Sequence, residues 1–147
     1  MGRSIIAVIA GYVSMFILNF IGFVTLFVIL GPANAFKPRL YIASNRWIAI
    51  ALVMTFITAI IGGLICAAIA KGGKAPVALA VVIIVLGWTM GIFEIRKHDA
   101  NAGLVRPAEV PIAEAAQKAY WPNWVPFAFP IGGAIGVLIG SKLKRKK

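Results

Sequence analysis

Acidic residues are nearly absent from this chain. Four occur in 147 residues, Glu94, Asp99, Glu109 and Glu114, against 15 Lys and Arg, which leaves a net charge of +11. Cysteine occurs once, at Cys66, and histidine once, at His98. One cysteine leaves no intrachain disulfide and no CxxC motif. Cys66 sits among Ile65, Ala67 and Ala68 and reads as a small packing residue. A single histidine rules out an HExxH zinc site and bis-histidine haem ligation. Glu94 and His98 share a face if the helix around them continues, with Asp99 beside them, but two or three donors are too few for a convincing metal site. Neither a supported Ser–His–Asp set nor a glycine-rich phosphate loop is present. These absences point to a chain that is not an enzyme and holds no cofactor and no metal.

Hydrophobic residues make up 61% of the sequence and charged residues 13%, where soluble chains average about 45–50% and about 25%. That surplus fits the membrane class. Four uncharged or nearly uncharged runs are long enough to span a bilayer, at about 4–30, 47–70, 75–93 and 124–140. The first is too long for the core of a cleaved signal peptide and reads as an anchor. Pro126 and Pro130 sit early in the fourth, where a missing N–H is tolerated, and a re-entrant segment is the competing reading there. "KGGK" at Lys71–Lys74 is a tight turn, with Pro76 in the next first turn, so the second and third helices are expected to pack as a hairpin. The expected fold is all-α. It is one polytopic membrane domain over 1–147, with four antiparallel transmembrane helices, outer loops at 31–46 and 94–123, and a tail at 141–147.

Basic residues are dense on one face of that arrangement, at Arg3, Lys71, Lys74 and the tail residues Lys142, Lys144, Arg145, Lys146 and Lys147. Orientation follows short positive segments near helix ends, which places both termini in the cytoplasm and the tail lysines on anionic lipid. In a soluble protein the excess of positive charge would suggest nucleic acid; here no nucleic-acid partner is expected. Trp47, Trp88, Tyr120, Trp121 and Trp124 gather at the opposite interface, the level that aromatic side chains favour.

Gly132, Gly136 and Gly140 recur every four residues and line one helix face. Ala59, Gly63 and Ala67 form a similar face in the second run, and Gly87 and Gly91 in the third. Small faces let helix backbones approach closely in lipid. They serve either packing inside this chain or a seam with another subunit. No ionisable residue lies inside a run, which counts against a proton-coupled exporter. Ser14, Asn19, Thr25, Thr55 and Thr58 are the main interior polar groups, and Asn19 is expected to hydrogen-bond a neighbouring helix.

In the long outer segment Pro111 begins a stretch in which Ile112, Ala116 and Tyr120 share a face and Glu114 and Lys118 pair at i, i+4. A short interfacial helix is expected there, either a lid over the chain's own helices or a docking surface. The segments "GPANAFKPRLYIASNRW", "GGLICAAIA", "RPAEV", "YWPNWV" and "IGVLIGSKLK" together resemble a set of small four-helix bacterial inner-membrane proteins. The resemblance implies a bacterial inner membrane and four spans; it implies no activity and no catalytic residues. The expected function is that of a non-catalytic accessory or assembly subunit of a larger inner-membrane complex, with membrane-protein partners or copies of itself. The alternative is a small homodimeric channel or transporter.

Overall fold

The computed structural model describes residues 2–71 and 73–145, the last by its backbone alone. Among these described residues it is all-α, with five helices in the order α1 (Gly2–Ala35), α2 (Asn45–Ala70), α3 (Ala75–Asn101), α4 (Ile112–Lys118) and α5 (Val125–Arg145). α1, α2, α3 and α5 are long and apolar enough to cross a membrane. That is the pattern of a multi-pass membrane protein.

Helix boundaries differ from the apolar runs because hydropathy marks where lipid ends and not where a helix ends. α1 continues past Leu30 with a break at Gly31, whose φ of 71° and ψ of 169° belong to a region that glycine alone enters readily. Pro32 follows, lacks an N–H, and restarts the helix for one further turn. α3 continues beyond Phe93 through "EIRKHD" to Asn101, since those side chains suit a helix in water as well as one in lipid. α5 is continuous from Val125 despite Pro126 and Pro130, and extends into the lysine tail. Ser44 caps α2 by accepting from the Trp47 N–H at 3.1 Å, and Lys71, at a positive φ of 51°, closes its other end.

The expected hairpin of α2 and α3 is only a connection. α5 enters between them and packs most extensively on α2 and next on α3, so that α2 and α3 touch little. Glycines make this insertion possible. A Cβ at Gly63 would strike the Val137 backbone, and one at Gly140 the Ile60 carbonyl. Gly136 lies against Ala59 and the Phe56 carbonyl. Along this contact the backbones of α2 and α5 nearly touch. On the other side Gly87 receives the Pro130 ring and Gly91 faces Pro126 and Phe127. α1 packs on α2 and is the outermost helix: 6% of its apolar stretch is buried, against 50% for α5.

Two apolar cores result. One, near the termini, is built around Ala7, Cys66, Leu79 and Val137. The other, at the loop end, is built around Phe36, Tyr41, Trp47, Tyr120 and Val125.

Candidate functional site

The connections at the loop end form a stitched cap. Pro38 and Arg39 occupy the centre of a turn closed by the Leu40 N–H on the Lys37 carbonyl, with Arg39 at a positive φ of 59°. The chain then runs beside residue 120: the Ala43 N–H donates to the Tyr120 carbonyl at 3.0 Å, and the Tyr120 N–H to the Tyr41 carbonyl at 3.1 Å. Arg106 is 8% exposed and locks the two connections together. Its Nε donates to the Leu40 carbonyl at 3.1 Å, its Nη1 to those of Pro107 and Ala108, and its guanidinium lies 5.5 Å from the centre of the Phe36 ring. Five fixed donors suit a guanidinium to such a nest of carbonyls.

α4 is held on the cap by Glu114, whose Oε1 accepts from the Tyr41 hydroxyl at 2.7 Å and from Lys118 Nζ at 2.8 Å. The Lys118 bond, then the Tyr41 bond, hold the Glu114 carboxyl below the usual carboxylate range. The same bonds raise the Tyr41 phenol and the Lys118 ammonium. Burial pushes the Tyr120 phenol up. The extension of α3 props α4 from the other side. Lys97 Nζ donates to the Ala116 carbonyl at 3.0 Å and Asn101 Nδ2 to that of Lys118 at 3.0 Å. The His98 ring meets Tyr120 edge-on at 4.9 Å between centroids.

Beneath the cap lies a half-open, mainly apolar cavity of 520 Å³. One wall is the α1 face of Phe16, Phe20, Phe23 and Phe27. Ala115 and Ala116 of α4, with Ala119 just after it, roof it, and Trp47 and Trp121 close its back. Glu94 and Lys97 of α3 bring the charge. Glu94 Oε2 is buried there without a hydrogen-bond partner among the described residues. Asn19, lower on the wall, is satisfied: its Nδ2 donates to the Met15 carbonyl at 3.0 Å and to Thr58 Oγ1 at 2.9 Å, and its Oδ1 accepts from Thr55 Oγ1 at 3.2 Å.

The residues singled out by the sequence divide. Gly63, Ala59, Gly136 and Gly140 meet at the α2–α5 contact and Ala67 is buried on α2. Gly87 and Gly91 meet α5, while a Cβ at Gly132 would meet nothing within 4 Å. Trp47, Tyr120 and Trp121 are packed in the cap core, whereas Trp88 and Trp124 project outward. Lys142 and Lys144 are exposed; Lys146, Lys147 and the Arg145 side chain lie outside the described residues. Glu94 is turned to the cavity, and His98 Nδ1 stands 3.4 Å from Asp99 Oδ1. Among the described residues no group of three His, Cys, Asp or Glu is placed to hold a metal ion. Sequence reasoning missed Arg106 and the phenylalanine wall. The i, i+4, i+7, i+11 spacing of Phe16, Phe20, Phe23 and Phe27 was the available signal for the wall; nothing local marked Arg106. Comparison with protein-family models, with curated proteins and with solved structures finds no match to this chain.

Proposed function

We propose that this chain is a non-catalytic protein of a bacterial inner membrane, with both termini cytoplasmic, that serves as an accessory or assembly subunit of a larger membrane complex. Its successive spans are antiparallel and α4 lies in the interface. The pairings of Arg3 with Ile69, Asn19 with Thr58 and Phe23 with Trp47 support the crossing of α1 and α2. The observation that carries the subunit reading is the division of labour among the helices. The small-residue faces of α2, α3 and α5 are largely consumed inside the chain, while α1 keeps Ile9, Phe16, Phe20 and Ile29 pointing outward. α1 is therefore the helix offered to a neighbour. A homodimeric channel would line its path with Ser14, Asn19 and Thr25; Ser14 bonds the Ala10 carbonyl and Asn19 bonds Thr55 and Thr58, which favours the subunit reading too.

Native mass spectrometry after mild detergent extraction from the source membrane tests it. A discrete assembly of fixed stoichiometry with other membrane proteins is expected. A lone monomer or homodimer overturns the subunit reading, and a homodimer directs attention to flux assays in liposomes.

A further inference from the structure

We infer that the cavity beneath the cap is a binding site for one ethanolamine phospholipid, its acyl chain along α1 and its headgroup between Glu94 and Lys97. The inference does not depend on the accessory-subunit reading, because it concerns the isolated chain.

Three observations carry it. The cavity is half-open and bounded by α1, whose outward surface is the apolar one: Phe16 and Phe20, both cavity residues, are also strongly exposed. With α1 in a bilayer, a lipid tail reaches Phe16, Phe20, Phe23 and Phe27 without passing through water. A volume of 520 Å³ falls within the range of about 300–1,000 Å³ usual for ligand pockets. Next, Glu94 Oε2 is buried and unpartnered. A buried carboxylate oxygen without a donor is costly, and Glu94 lines the cavity, so an occupant that brings an N–H to this carboxyl offsets that cost. Finally, Lys97 stands one turn along the same helix and spends one donor on the Ala116 carbonyl. An ammonium has three donors, so it keeps others for an acceptor of opposite charge. Donor and anionic acceptor two carbons apart describe the phosphoethanolamine group. A choline headgroup carries no N–H for Glu94, and a glycerol headgroup carries no positive charge.

The test uses the full chain, purified in mild detergent and stripped of lipid. It is incubated with an equimolar mixture of phosphatidylethanolamine, phosphatidylcholine and phosphatidylglycerol bearing identical palmitoyl and oleoyl chains. Native mass spectrometry then reads the lipid retained per chain. One phosphatidylethanolamine is expected, favoured by at least about tenfold, since a charge-assisted hydrogen bond is worth roughly 1.5–3 kcal/mol and about 1.4 kcal/mol is a factor of ten. Glu94→Gln is expected to erase that preference, and Phe20→Trp, which fills the apolar lane, to reduce retention of all three. Should Glu94→Gln fail to fold, the unaltered protein with mono-, di- and trimethylated ethanolamine lipids provides the same readout, retention falling most sharply at the trimethyl headgroup. Equal retention of the three lipids, a preference for phosphatidylglycerol, or retention indifferent to methylation overturns the inference.

Discussion

At the scale of single residues the cap depends on a few polar side chains recruited across long stretches of sequence. Glu114 and Lys118 form an i, i+4 pair that the sequence makes plain, but Tyr41, 73 residues away, completes it. The resulting shifts set a pH window. The Glu114 carboxyl is held low in the folded chain, so its contribution is complete above the ordinary value of about 4.3 and is lost as pH falls through the depressed one. Tyr41 and Lys118 are raised, so their contributions are complete below about 10 and are lost as pH rises through the raised values. The near-ultraviolet circular dichroism of the cap aromatics is therefore expected to hold steady from about pH 5 to about pH 9 and to decay on both sides. Glu114→Gln is expected to abolish the acid limb; an unchanged acid limb would show that this carboxylate does not anchor α4.

Among elements, the α2–α5 contact decides the architecture. Its glycines are not interchangeable, although Gly132, Gly136 and Gly140 look alike in the sequence. At Gly63 and Gly140 a methyl group meets backbone, which cannot rotate aside. Gly63→Ala or Gly140→Ala is expected to lower stability by roughly 1–3 kcal/mol, the usual cost of overpacking. Gly132→Ala meets open space and is expected to change stability by no more than about 0.5 kcal/mol. Unfolding titrations in mixed micelles rank the three variants. Equal effects would mean that close backbone approach is not what holds α2 and α5 together. The spacing of four residues puts these glycines on one face, but it does not say which of them the partner covers. The long helices were themselves legible, because an apolar run of sufficient length is a local property. The ends of α1 and α3 were less so, because a helix persists after its residues cease to be apolar.

For the whole molecule, the chain's single cysteine makes orientation directly testable. Cys66 is fully buried, so the unaltered protein is expected to be silent to a membrane-impermeant maleimide. In sealed right-side-out vesicles, Glu109→Cys in the cap is expected to label and Lys142→Cys on α5 to label only after the membrane is opened. Both sites are exposed in the structure. Labelling in the reverse order would invert the orientation while leaving the fold unchanged. It would also move the candidate lipid site to the opposite leaflet, since the cavity and the cap share one end of the bundle.

Local sequence is enough to establish that this chain is all-helical, that four of its helices are long and apolar enough to span a bilayer, and that small residues line particular helix faces. Each of these follows from run length or from the period of 3.6 residues. Long-range packing alone sets α5 between α2 and α3, clasps Arg106 with carbonyls from two connections, and makes Glu94 part of a cavity wall. Those outcomes depend on which side chains meet across dozens of residues. Backbone approach at Gly63 and Gly140 and the need to satisfy buried donors select among arrangements that hydropathy alone treats as equal.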